Sequence, residues 1–329
     1  MDTIERALQK QQGKTPEENV YPIRDDVDSA INDELIEEPV IEDFDLDVGH
    51  VAENSIGEIL LEAERLSEGD IELIRQVQQE DGIYFGEAAL QLRLLTKEDI
   101  KFALCKQYGY TYIHDGDTSL SQELVTLYQP FHKKSEVLRL IRSQLIVGAM
   151  SEGKRVFAVV SPGEQEGKTY IAANLAVTMA QLGKRTLLID ANFRTPRINK
   201  LFSVNARIGL SAMLARRVSR ENLSKLPYLV ETIPNLYVLT TGALPPHPGE
   251  LLSSHVLPKI LDEICAHYDA IFLDTPPGSY LADVQTVAHA AGQAIIVLRK
   301  NKTSMHDSKK LVEALGQAKV NILGTVLNS

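Results

Sequence analysis

The chain has 329 residues, room for two domains, and its 44% hydrophobic content is that of an ordinary globular protein. The net charge of −11 belongs to residues 1–50, where 15 Asp/Glu face 4 Lys/Arg; the remaining 279 residues hold 30 of each, so no basic face marks a nucleic-acid partner. No secretory signal and no run of about 18 apolar residues occurs, and Cys105 and Cys265 stand in no metal-ligand or redox spacing, which fits buried thiols in a reducing, cytoplasmic compartment.

Residues 1–50 scatter Ile, Leu, Val and Phe among acids. Such a segment buries too little apolar surface to offset chain entropy, and it is expected to be a largely disordered acidic arm, a tether or a docking peptide.

Residues 51–114 carry a tandem repeat with an offset of 29. Ile56-Gly57-Glu58 aligns with Phe85-Gly86-Glu87, Leu66-Ser67 with Leu95-Thr96, and Asp70-Ile71 with Asp99-Ile100. Each copy predicts helix, turn, helix. Ser67 and Thr96 stand as N-caps, with Asp70 and Asp99 three residues later on the first turn. The repeat resembles the N-terminal domain of type II secretion and pilus ATPases, some of which bind cyclic di-GMP. The pattern's glycines match at Gly57 and Gly86. Its arginine falls on Ser55 or Tyr84 and its second glycine on Glu64 or Arg93, departures that count against cyclic di-GMP as a partner. After the repeat, KQYGYTYI alternates Tyr108, Tyr110 and Tyr112, a period of two that predicts a strand. Residues 115–134 read as a connector.

From residue 135 to 329 strands and helices alternate. RVFAVVS (155–161), RTLLIDA (185–191), NLYVLTTG (235–242), AIFLDTPP (270–277), QAIIVLRK (293–300) and NILGTVLN (321–328) read as buried strands. Helices are expected at Lys168–Leu182, Gly249–His267, Tyr280–Ala291 and Ser304–Gln317. The fold class is therefore α/β, a mostly parallel sheet with helices on both faces and ligands at the carboxyl ends of its strands.

The first strand runs into SPGEQEGKTY (161–170) and then a helix, the setting of a phosphate-binding loop. Gly163, Glu164, Gln165, Glu166, Gly167, Lys168, Thr169 and Tyr170 are the candidate nucleotide contacts. Gly167 lets the backbone approach, loop amides meet phosphate, Lys168 meets the β- and γ-oxygens, and the Thr169 hydroxyl suits Mg²⁺. Pro162 stands where the usual pattern has Gly or Ala. Asp190 and Asp274 each end an apolar strand, and with Thr169 they form the candidate metal set. Asn328 ends the last strand and is a candidate adenine contact. ATP and Mg²⁺ are the expected ligands.

SPGEQEGKTYIAANLAVTMAQLGKRTLLIDANFRTPRINKLF closely resembles the bacterial tyrosine kinases of capsule and exopolysaccharide synthesis, P-loop kinases typified by the cytoplasmic part of Wzc and by CapB and CpsD; a repeat fused in front points to their EpsG branch of chain-length-determinant kinases. The family's Walker A, A′ and B motifs correspond to Gly163–Thr169, Asp190–Pro196 and Ile271–Asp274. The resemblance implies catalytic roles for Lys168, Asp190, Asn192, Arg194 and Asp274. It also implies a ring contact through Glu136, Arg139 and Arg142, which spacing places on one helix face. TGALPPHPGELL (241–252) resembles the family's Pro-rich segment. The implied partners are the cytoplasmic end of a Wzz-like membrane polysaccharide copolymerase and a cognate tyrosine phosphatase, with the chain peripheral to the inner membrane through that copolymerase. Asn192 replaces the second A′ acid, so base catalysis falls to Asp190, or Asn192 holds a water. The family's C-terminal tyrosine cluster has no counterpart, since no tyrosine follows Tyr280. MinD and ParA ATPases place a lysine at the position of Gly163 and lack Arg194-Thr195-Pro196. The alternative to a kinase is a nucleotide-gated scaffold for the copolymerase.

Overall fold

The computed structural model describes residues 20–22, 55–113 and 116–328. They fall into two compact units, residues 55–113, 116–117 and 127–132 in one and residues 20–22, 118–126 and 133–328 in the other. The expected arm, residues 1–50, lies outside the described residues except for Val20–Pro22.

The first unit holds α1 (Ile56–Glu62), α2 (Glu68–Asp81), α3 (Phe85–Gln91) and α4 (Lys97–Gln107). The two copies form two helix pairs, as the repeat predicts. Ser67 and Thr96 accept hydrogen bonds from the amides of Asp70 and Asp99, whose carboxylates reach back to the cap amides, so both are full capping boxes. Leu60, Ile74, Ala88, Ala89, Ile100 and Ala103 are buried between the helices. A side-chain carbon on Gly57 would meet the Phe85 ring at 3.3 Å, and one on Gly86 would meet Ile100 at 3.3 Å, so these glycines serve close packing. The pattern's second glycine position also has a physical reason. Glu64 and Arg93 both have φ of 55°. Their amides and those of Arg65 and Leu94 bond back to Leu61, Leu90, Leu60 and Ala89, closing α1 and α3 in the left-handed manner that glycine favours.

The strand expected at Tyr108–Tyr112 does not form. Tyr108 is the C-cap of α4, and Gly109 follows with φ of 67°. The Tyr110 amide bonds to the Cys105 carbonyl at 2.7 Å. The alternating tyrosines straddle a helix terminator, and the Tyr108 and Tyr110 rings stack with centroids 6.0 Å apart.

The second unit contains one eight-stranded sheet. Its strands are β1 (Val20–Pro22), β2 (Val156–Val160), β3 (Thr186–Asp190), β4 (Tyr228–Leu229), β5 (Leu236–Leu239), β6 (Ala270–Asp274), β7 (Gln293–Arg299) and β8 (Asn321–Asn328), in the order β1-β8-β7-β2-β6-β3-β5-β4. All neighbours are parallel except β4 and β5. The helices are α5 (Lys133–Leu145), α6 (Lys168–Gln181), α7 (Ile198–Leu201), α8 (Leu210–Leu214), α9 (Pro248–Leu252), α10 (Leu257–Cys265), α11 (Leu281–Ala291) and α12 (Met305–Gln317). Leu187, Ile189, Ile271 and Leu273 pack in one cluster with side chains of α8, α9, α10 and α11. Leu188 and Phe272, one residue out of step, are as completely buried on the opposite face, where α6 covers β2, β3 and β6. All six strands read from apolar runs are present. The helix expected over Gly249–His267 is two, α9 and α10, because Pro258 starts a new helix in its first turn and His255 adopts φ of 54°. Cys105 is buried as expected, while Cys265 is half-buried. Among the described residues no helix is long and apolar enough to cross a membrane.

Candidate nucleotide-binding site

The site forms where β2, β3 and β6 end together. Parallel pairing sets Asp190 directly opposite Asp274, each the last residue of a wholly buried strand. Between β2 and α6 the chain turns through Ser161–Gly167. Gly167 is the N-cap of α6 with φ of 98°, and a side-chain carbon there would lie 2.2 Å from the Asn328 amide. Any other residue there would displace the Asn328 side chain and hold a strained backbone angle. No side chain caps α6. Its first amides are left for an anion at the positive end of a 14-residue helix.

The loop is braced from outside. The Glu166 carboxylate is buried and accepts from the Gly163 amide at 2.7 Å and the Thr303 hydroxyl at 2.6 Å. The Asn328 amide donates to the Glu166 carbonyl at 3.1 Å. Arg299 and Lys302 donate to the Gln165 carbonyl at 3.0 and 3.4 Å. Asn328, expected at the adenine, is thus engaged with the loop backbone. Thr303, Arg299 and Lys302 carried no motif and escaped the sequence reading. Glu164 and Gln165 are exposed, and burial pushes the Tyr170 hydroxyl up to about 12.

Lys168 and Thr169 are buried at the start of α6. The Thr169 hydroxyl donates to Asp274 Oδ2 at 2.7 Å, while Asp274 Oδ1, equally buried, has no hydrogen-bond partner. Burial raises the Asp274 carboxyl to about 6, with Lys168 and the Thr169 bond opposing the rise. Burial, then the charge of Asp274, raises Asp190 well above the ordinary carboxylate range, against backbone amides of Ile198, Asn192 and Arg197. An orphaned carboxylate oxygen, a hydroxyl and a second acid facing it across the sheet make a hard-oxygen set that fits Mg²⁺. Among the described residues no group of three or more His, Cys, Asp or Glu could enclose a metal alone, so such an ion would share its shell with phosphate and water.

Arg194 is paired with Asp283. Its Nε and Nη2 reach Asp283 Oδ2 at 3.0 and 2.9 Å, and its guanidinium lies 4.3 Å from the Tyr280 ring centre. Asp283 is buried on α11 and had no sequence signal. Asn192 is buried, with its side chain bonded to Thr195. Of the expected ring residues Glu136 is exposed, Arg139 is buried and paired with it, and Arg142 donates to the Thr178 carbonyl at 3.1 Å. Leu140 and Val147 are the exposed apolar residues of that stretch.

A family model described as "ParA: NUBPL iron-transfer P-loop NTPase" matches residues 152–329. The tyrosine-protein kinase YwqD of Bacillus subtilis (strain 168) is 34% identical over 209 residues, 64% of this chain and 86% of that one. The putative tyrosine-protein kinase CapB of Staphylococcus aureus is 34% identical over 195 residues, 59% of this chain and 83% of that one. The chain belongs to the bacterial tyrosine-protein kinases. The contrast with ParA and MinD thus separates branches of one ParA-type P-loop fold. Among solved structures, the kinase domain of the Escherichia coli tyrosine kinase ETK superposes with a TM-score of 0.59 at 28% identity, covering 63% of this chain and 79% of that one. The chimerical protein CapA2B2 gives 0.58 at 30% identity, covering 71% and 98%.

Proposed function

We propose that this kinase transfers the γ-phosphoryl group of ATP to protein tyrosines and so regulates the polymerisation, chain length and export of an exopolysaccharide. The observation that carries the proposal is the buried Thr169–Asp274 pair with its orphaned oxygen, facing Asp190 behind an uncapped helix start. Loop amides and Lys168 hold the β- and γ-phosphates. Thr169, Asp274 and Asp190 would hold magnesium, which when bound neutralises charge on the transferred group. In the transfer a phosphorus–oxygen bond forms to the tyrosyl oxygen and the one to ADP breaks. Asp190, the acid left for base catalysis where Asn192 replaces the second one, receives the phenolic proton. Arg194 steadies the acceptor once released from Asp283.

The implied protein partners are the cytoplasmic end of a Wzz-like copolymerase, which would hold the chain at the inner membrane, and a tyrosine phosphatase. A ring formed along α5 and the helical turn Ile146–Met150 that follows it would use exposed Glu136, Leu140 and Val147, with Arg139 and Arg142 shaping the helix face from within. The scaffold alternative is not favoured, because the relatives are named kinases. For the repeat, the position a cyclic di-GMP pattern gives to arginine is filled by Ser55, which caps α1, and by Tyr84 at the start of α3. The deciding experiment supplies labelled ATP and Mg²⁺ with the copolymerase's cytoplasmic peptide. Phosphotyrosine should appear and fall by about 10²–10³-fold in Lys168→Ala, the effect of losing one charge-stabilising donor. Equal labelling in that variant would end the proposal.

A further inference from the structure

One buried polar side chain among the catalytic candidates has no part in the transfer described. Asn192 is 1% exposed, and its side chain is committed to a single neighbour. Its Nδ2 donates to the Thr195 carbonyl and hydroxyl, both at 3.1 Å, and its Oδ1 accepts from the Thr195 amide at 3.1 Å. The backbone settles which end of the amide is which, because the Thr195 N–H can only donate and its carbonyl can only accept. The turn closed in this way has one further product. The Asn192 N–H donates to Asp190 Oδ1 at 3.1 Å, and the returning chain brings the amides of Arg197 and Ile198 to Asp190 Oδ2 at 3.2 Å each. Asp190 is therefore gripped on both oxygens by backbone that Asn192 shapes.

We infer that Asn192 is a positioning residue whose side-chain amide folds the 192–198 loop around Asp190, so that a carboxylate at this position would damage the site rather than supply a second acid. An aspartate could still accept from the Thr195 amide. It could not donate to the Thr195 carbonyl, and two acceptor oxygens would then meet inside the protein. The inference rests on the proposed kinase reading, in which Asp190 serves metal and proton. It replaces both the catalytic role that the family resemblance implies for Asn192 and the alternative that Asn192 holds a water.

The test compares the full-length wild type with Asn192→Asp, Asn192→Ala and Asn192→Ser. Calorimetry follows ATP binding without Mg²⁺ and then Mg²⁺ titrated into the ATP complex; kinetics follows tyrosine phosphorylation. ATP affinity without Mg²⁺ should stay within about twofold, because the phosphate loop is untouched. Mg²⁺ half-saturation should rise and kcat fall by about 10–100-fold in Asn192→Asp and Asn192→Ala, the range for groups that orient metal ligands, with little change in the KM for ATP. Asn192→Ser, which keeps a short donor, should lie between. A melting curve checks each variant's fold, and if Asn192→Asp does not fold, the Ala and Ser variants carry the comparison. Asn192→Asp with equal or higher kcat and an unchanged Mg²⁺ requirement would overturn the inference, as would Asn192→Ala matching wild type in both. A wild type that transfers no phosphate would instead remove the kinase reading, and the Mg²⁺ titration would still decide the role of Asn192.

Discussion

The helical repeat and the P-loop unit solve the same local problems with opposite economies. Both need the left-handed backbone region. Besides Gly82 and Gly109, the repeat fills it with Glu64 and Arg93, exposed side chains that tolerate modest strain. The P-loop unit also carries side chains there, Gln165 and His255 among them, but at the start of α6 it uses Gly167, where a side chain would collide with Asn328. Both place carboxylates near helix starts. In the repeat Asp70 and Asp99 sit at the surface, and their bonds to Ser67 and Thr96 hold them below the usual carboxylate range, though burial opposes this at Asp99. In the P-loop unit Asp190 and Asp274 are wholly buried and raised. A charge kept where it costs stability points to a ligand, whereas a charge kept where it stabilises points to folding.

The strongest way to break this contrast is Gly167→Ala. The added carbon either keeps φ near 98°, where it is strained and expels Asn328 from its bond to the loop, or shifts the backbone, and both disturb the amides proposed to hold phosphate. MgATP affinity should fall by about 100-fold, roughly 3 kcal/mol, in a titration of the full chain. Affinity within threefold of wild type would show that the loop does not need this backbone.

Asp274→Asn sharpens the contrast through pH. The Asp274 carboxyl titrates near 6 in the metal-free fold, against an ordinary value of 3.8. A raised acid contributes to folding fully below its unfolded value and loses that contribution as pH rises through its folded value. The metal-free wild type should therefore lose stability from about pH 4 to pH 7. The amide of the variant does not titrate, so the Asp274 share of this loss, roughly 2–3 kcal/mol by pH 7, should be absent from the variant, while the share that burial gives Asp190 remains. The same variant should gain little melting temperature from MgATP, whereas the wild type should gain several degrees. A metal-free variant less stable than wild type at pH 7 would mean that the buried carboxylate is already compensated within the protein.

How much of this was legible in the residues follows the same division. The strands were readable because apolar runs such as AIFLD recur between helical stretches, and two of them, β3 and β6, end in an acid. Lys168 and Thr169 were readable because spacing within one loop carries their geometry, and Asp190 and Asp274 because each closes an apolar strand that parallel pairing brings to the same edge. Asp283 and Thr303 were not, because each acts on a residue more than 80 positions away and belongs to no local pattern. Asn328 stood out as the end of β8, but nothing local says that β8 delivers its amide to the phosphate loop. The tyrosine alternation misled because period two was weighed without Gly109, which ends the helix between the first two rings. Arg139 shows a further limit. Spacing of three puts Glu136, Arg139 and Arg142 on one face, yet spacing does not say whether that face meets solvent or the protein's own interior.

The smallest predicted effect tests the tolerant side of the contrast. Glu64 and Arg93 each occupy the position after a helix C-cap at φ of 55°, with the closing bonds already made. A non-glycine residue there is strained by about 1–2 kcal/mol, and glycine would relieve this while adding about 0.5–1 kcal/mol of chain entropy to the unfolded state. Glu64→Gly and Arg93→Gly should each stabilise the repeat by a net ~0.5–1 kcal/mol. Amide exchange in α1 or α3 should slow by about two- to fivefold where it proceeds through unfolding of this unit, with MgATP affinity unchanged. Faster exchange would mean that the side chains of Glu64 and Arg93 do more for the turn than their backbone costs it, and the repeat would then have its own reason, beyond folding, for having departed from glycine.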